Sequence, residues 1–111
     1  MSSDSSTVHE KAWALISLDR PDEAVKLFYE AVALDPENAI THCGLVAAFI
    51  ECDEPERALA SADKAIALDP EMDWGFRQRS EALLNLYRPE EALTAANEAL
   101  RLDANGTGNV P

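Results

Sequence analysis

This sequence predicts an all-α fold in which antiparallel helix pairs stack into an α-solenoid. Three observations predict it. A unit of 34 residues recurs three times without a gap, prolines and alanines fall in step within it, and the composition is helical. Hydrophobic residues make up 47% of the 111, mainly as Ala and Leu, while aromatics are only 6% and there are four glycines, which excludes an all-β or collagen-like chain. At this length one domain with a modest core is expected.

The repeat is explicit. Ala33 to Glu37, Ala-Leu-Asp-Pro-Glu, recurs at Ala67 to Glu71, and a weaker copy, Arg-Leu-Asp-Ala-Asn, spans Arg101 to Asn105. Laying residues 5–38 over 39–72 matches 12 of 34 positions, where chance at ordinary composition gives roughly two or three. A third copy runs over 73–106. Pro21, Pro55 and Pro89 are in register, as are Ala24, Ala58 and Ala92, and Ala31, Ala65 and Ala99. The expected organisation is a disordered segment at 1–4, a three-unit domain at 5–106 (5–38, 39–72, 73–106) and a flexible, Gly-rich tail at 107–111.

Each unit resolves into two helices, expected at about 7–18, 21–34, 37–52, 55–68, 71–86 and 89–102. The first follows from register with its later copies. The second, fourth and sixth open at Pro21, Pro55 and Pro89, because proline tolerates the first helical turn while the residue before it avoids helical geometry. The third and fifth are expected to open at Asp35-Pro36-Glu37 and Asp69-Pro70-Glu71, as a capping Asp before a first-turn Pro. The acidic residues gathered in these turns, Asp22, Glu23, Glu37, Glu56, Glu71, Glu90 and Glu91 among them, complement the positive ends of the helices. Connections this short make neighbouring helices antiparallel.

Charge and cysteine usage narrow the function. A net charge of -12 opposes a polyphosphate backbone, so nucleic-acid binding is not expected. No apolar run reaches the roughly 18–20 residues of a membrane span, and the opening Met-Ser-Ser-Asp-Ser-Ser-Thr lacks the basic and apolar parts of a signal peptide, which predicts a cytoplasmic protein. Cys43 and Cys52 lie about 13.5 Å apart along one expected helix and cannot bridge each other.

The helix around residues 39–51 carries two apolar stripes. His42, Leu45, Val46 and Phe49 form one, suited to packing on Ala58, Ala62, Ala65 and Ile66. Ile40, Cys43, Ala47 and Ile50 form the other, which needs a neighbouring unit or a ligand to cover it. The same spacing selects His9, Trp13 and Ile16 in the first unit and Trp74, Arg77, Glu81 and Leu84 in the third. Both tryptophans of the chain fall on this stripe.

A 34-residue helix-turn-helix with small residues at Ala24, Ala58, Ala92, Ala31, Ala65 and Ala99, closing on Leu-Asp-Pro, resembles the tetratricopeptide repeat. The resemblance covers 5–106. It departs where the family carries an early large aromatic, here Val8, His42 and Phe76, and where it carries Leu a turn later, here Lys11, Leu45 and Arg79. It implies a right-handed superhelix of three helix pairs whose first helices line a concave groove for peptides or partner proteins. The candidate binding residues are then His9, Trp13, Ile16, Ile40, Cys43, Ala47, Ile50, Trp74, Arg77, Gln78, Glu81 and Leu84. Capture of a partner's C-terminal carboxylate, as the family's chaperone adaptors do, would need Lys, Arg or Asn where this chain has His9, Trp13, Gly44, Trp74 and Gln78. Arg77 alone offers a strong cation to this face, with Glu81 four residues on as its competing partner.

No catalytic or metal constellation is expected. His42 and Cys43 are adjacent on a helix and point about 100° apart, His9 and Cys43 belong to helices roughly 8–10 Å apart, and the two His and two Cys match no zinc-ligand spacing. There is no phosphate-binding loop, and no cofactor is expected. The expected function is therefore a non-catalytic protein-interaction module for an amphipathic segment. The alternative is self-association, as a homodimer or larger scaffold and as the leading module of a longer protein, through a last repeat that lacks a polar capping helix and presents Leu86, Leu93 and Leu100.

Overall fold

A computed structural model describes residues 5–106; the expected disordered segment 1–4 and tail 107–111 lie outside the described residues. Six helices follow one another: α1 Ser5–Ser17, α2 Pro21–Leu34, α3 Ala39–Glu51, α4 Pro55–Leu68, α5 Asp73–Asn85 and α6 Pro89–Gly106. No strand occurs among the described residues. The three prolines open α2, α4 and α6 as expected.

The third and fifth helices start two residues later than expected. Asp35 and Asp69 close α2 and α4 rather than opening the next helices: their backbone N–H groups donate to the Ala31 and Ala65 carbonyls. Asp35-Pro36-Glu37 and Asp69-Pro70-Glu71 are turns, the second stabilised by the Glu71 N–H donating to the Asp69 side chain at 3.3 Å. The cap of α3 is Asn38, whose side-chain oxygen accepts from the Ile40 N–H at 2.9 Å. At the other end of the chain, α6 continues beyond its expected limit to Gly106.

Within each unit the helices are joined by the same tight turn. Asp19, Asp53 and Tyr87, spaced by one repeat, all adopt left-handed backbone with φ near 60°. The next N–H in each turn reaches back to close the helix, from Arg20 to Leu15, Glu54 to Phe49 and Arg88 to Leu83, at 2.8–2.9 Å. An exposed ion pair then spans the first turn of every second helix: Arg20 with Glu23, Arg57 with Glu54, and Arg88 with Glu91.

The core runs through the stack. Ala12, Leu15, Ala24, Phe28, Leu45, Val46, Phe49, Ala58, Ala62 and Ala82 form the main cluster, and Ala39, Cys43 and Ala65 a second one. The buried alanines on α2, α4 and α6 let the first helices approach closely. Contacts join α1 to α3 and α3 to α5, so the three first helices lie side by side, while α2 and α4 each pack against the first helix of the next unit. Arg79 stands where the family pattern has Leu; it pairs with Asp63 and ties α5 to α4.

Candidate functional site

The face formed by α1, α3 and α5 carries the residues singled out from the sequence, and the structure divides them. Trp13 and Trp74 meet. Their rings stack with centroids 6.1 Å apart and 22° between planes, so the tryptophans bridge the face over α3 instead of standing apart with Ile40, Cys43, Ala47 and Ile50 between them. Trp13 also meets the buried Phe28 ring edge-on at 5.7 Å, and Trp74 packs against Ala39, Cys43 and Ala65. Ile16, Ala47 and Ile50 are half-buried beside them, Ile40 is 43% exposed and Leu84 56%. The helical phase of these residues, three, four or seven apart on each helix, makes this one apolar strip.

Two residues expected on the strip do not reach it. Cys43 has no exposed surface, and Gln78 is 7% exposed because its amide turns inward, Nε2 donating to the Cys43 carbonyl at 3.0 Å. That bond joins α5 to α3 and satisfies a polar group that burial would otherwise penalise. Burial also pushes the Cys43 thiol up to about 12, with the Arg77 charge pulling weakly the other way, which leaves no thiolate for chemistry at neutral pH.

Arg77 is exposed, but its ion pair is with Asp73, at 3.4 Å, rather than with Glu81. A side chain one turn earlier is as near as one a turn later, and Asp73 sits in the first turn, where an acid is favoured. Arg77 and Asp73 also line a cavity of about 470 Å³ with Ser80, Ala96, Ala99, Leu100 and Asp103. This cavity is lined by α5 and α6 alone.

His9 is a structural link. Its Nε2 and the Thr41 hydroxyl share a 2.5 Å hydrogen bond, and its ring meets Phe28 edge-on at 5.7 Å. Thr41 recurs in register with Thr7, the one sequence signal that marks it. Burial lowers the His9 pKa, partly offset by Asp35. Burial lowers that of His42 as well, helped by Lys64 and opposed by a hydrogen bond with the Pro36 backbone; its Nε2 is buried without a partner. Among the described residues no three His, Cys, Asp or Glu side chains converge as a metal ion would require. No described helix is long and apolar enough to cross a membrane.

Comparison with known proteins bears on this architecture. A family model for the tetratricopeptide repeat matches residues 15–72. No curated protein sequence matches the chain. Among solved structures, the Arabidopsis OM64 TPR domain superposes with a TM-score of 0.85 at 28% identity, covering 93% of this chain and 85% of that one. The Sgt2 TPR domain from Aspergillus fumigatus gives 0.87 at 20% identity, covering 95% and 70%. The first TPR of Spaghetti (RPAP3), solved bound to the HSP90 peptide SRMEEVD, gives 0.87 at 21% identity, covering 93% and 84%.

Proposed function

The chain belongs to the tetratricopeptide-repeat family, and from that premise we propose that it is a non-catalytic module whose α1-α3-α5 face holds a segment of another protein. Structures of its fold have been solved with a peptide bound, and the family is one of interaction scaffolds. The observation that carries the reading is the Trp13–Trp74 stack set among Ile16, Ile40, Ile50 and Leu84. Two indoles held together at the centre of an apolar strip are the kind of rigid anchor that dominates interface energetics. Units 5–38, 39–72 and 73–106 each contribute their first helix to this surface. The two free cysteines suit a reducing compartment such as the cytoplasm.

The test is direct. A partner captured by the parent chain should bind a Trp13→Ala, Trp74→Ala double variant roughly thirtyfold or more weakly, from a loss of about 2 kcal/mol or more at such anchors. Arg101→Ala, on α6 and paired with Glu98, should leave binding unchanged. Circular dichroism establishes that the variants are folded. Full binding by a folded double variant places the interface elsewhere.

A second reading, self-association through the last unit, is favoured by one observation. Of the three leucines expected at the open end, Leu93 and Leu100 are 62% and 67% exposed and Leu86 is half-buried, while Leu84 joins them at 56%; the counterparts of Leu84, Leu93 and Leu100 one repeat earlier, Ile50, Leu59 and Ile66, are partly buried where the next unit follows. Leu84, Leu93 and Leu100 border the 470 Å³ cavity and a second one of about 280 Å³ beside it. Sedimentation of the parent against Leu93→Glu, Leu100→Glu tests it: an oligomer that the variant abolishes supports this reading, and a monomeric parent ends it.

A further inference from the structure

The charges around the tryptophan pair point to the chemistry of what would lie on it. Glu81 is seven residues after Trp74 on α5 and so projects from the same side of the helix two turns on; Glu51 is four residues after Ala47 and ends α3. Both are exposed, and neither has an ion-pair partner among the described residues. Each stands toward the C-terminal end of its helix, where the unpaired carbonyls add partial negative charge. The one strong cation near this face, Arg77, is paired with Asp73 at 3.4 Å. The apolar strip thus has two unpaired carboxylates toward one end, while its nearby cation already has an acidic partner.

We propose that the α1-α3-α5 face selects a basic partner segment, an apolar or aromatic side chain resting on Trp13 and Trp74 and Lys or Arg reaching Glu51 and Glu81. The inference rests on the groove reading given above and specifies its ligand. Seven helical residues separate Trp74 from Glu81 by about 10.5 Å, which an extended segment covers in about three residues. Anchor and cation are therefore expected about three positions apart. A guanidinium is favoured over an ammonium, because it can lie flat on an indole and also form a forked bond to a carboxylate. The same charges disfavour an acidic C-terminal tail. The peptide SRMEEVD would bring two glutamates, an aspartate and a terminal carboxylate toward Glu51 and Glu81.

Trp13 and Trp74 are the chain's only tryptophans, so tryptophan fluorescence, excited beyond the absorption of Tyr29 and Tyr87, reports on this face. The experiment titrates the full chain with SRMEEVD and with its charge-reversed counterpart SRMKKVK-amide, at low and high salt. The basic peptide is expected to perturb the fluorescence and to bind at least about tenfold more tightly, with an advantage that shrinks as salt screens the charges. Glu51→Gln with Glu81→Gln should weaken it about tenfold, whereas Glu56→Gln with Glu90→Gln, which removes the same charge from α4 and α6, should not. Equal weakening by both pairs would mean attraction to net charge alone and would overturn the proposal. Equal or tighter binding of SRMEEVD would overturn it while leaving the groove reading intact. No fluorescence change with either peptide would count against both.

Discussion

Gly44 on α3 packs directly against the ring of Phe28 on α2. A Cβ built on Gly44 would stand 3.0 Å from Phe28 Cδ1 and closer still to Cε1 and Cζ, and the Phe28 ring has no exposed surface into which to retreat. The same ring receives the edges of His9 and Trp13, so its position sets the platform on which the tryptophan stack rests.

Gly44→Ala is therefore expected to destabilise the fold. Alanine gains about 1 kcal/mol of helix propensity over glycine, but overpacking a closed core typically costs about 1–3 kcal/mol. The net expectation is a loss of about 1 kcal/mol, visible as a fall in Tm of several degrees. Gly75→Ala would bring its Cβ to 3.1 Å from Ile66 Cγ1, with the Ile66 backbone at ordinary contact distance, a milder crowding that the gain in helix propensity offsets, and it is expected to be close to neutral. A Gly44→Ala variant at least as stable as the parent would show that the α2–α3 contact can yield.

Tyr87 holds a left-handed backbone conformation that its counterparts, Asp19 and Asp53, adopt more readily, and its side chain is 91% exposed. Tyr87→Asn should stabilise the chain by about 0.5–1 kcal/mol, since short polar side chains tolerate this region while bulky ones pay for it. Asp53→Tyr should cost a similar amount. Urea denaturation midpoints with unchanged slopes measure both.

The fold was legible because repeat register, proline and alanine are local signals, and each decides a helix or a close helix contact by itself. The helices at Ala39 and Asp73 start two residues later than the sequence predicts because Asp-Pro-Glu serves equally as a turn and as a cap, and only the backbone bonds of Asp35 and Asp69 decide between them. For the candidate site, helical phase groups the residues on one face but says nothing of their depth. Cys43 and Gln78 share the stripe of Ile40 and Trp74, yet the next unit covers one and a hydrogen bond draws in the other. The contact between Trp13 and Trp74 has no sequence signal, since it depends on how far two long side chains reach across α3.

Acid should loosen the first two units. His9 and His42 both have folded-state pKa values below the ordinary 6.5, so the unfolded chain binds protons that the folded chain resists. Their contribution is complete above about 6.5, declines as pH falls below that value, and is lost once pH passes the folded values. Asp35 beside His9 moderates the effect, and Lys64 near His42 strengthens it. Denaturation midpoints measured between pH 7.5 and 5 should fall in the parent and fall less in His42→Gln; a parent midpoint flat across this window would contradict the expectation.

The thiols should separate by reactivity. Cys52 is half-buried, its pKa raised by burial and by Glu54, Asp22 and Glu51, whereas Cys43 is enclosed. A maleimide reagent should label Cys52 slowly in the native chain and Cys43 only on unfolding, as peptide mass spectrometry of the labelled chain would reveal. Rapid native labelling of Cys43 would mean that α5 opens readily from α3.

Neighbouring units touch along their helices, but α1 and α5 make no backbone contact among the described residues. An array coupled only to nearest neighbours can unzip from either end, one unit at a time. The Trp13–Trp74 stack joins the first unit to the third and closes a loop of chain around the second. Once the middle unit has ordered the intervening chain, that closure costs little further loop entropy. Releasing α1 or α5 alone must then break an aromatic contact shared with the opposite end. The tryptophan pair acts as a clasp on the solenoid, making the opening of its two ends interdependent.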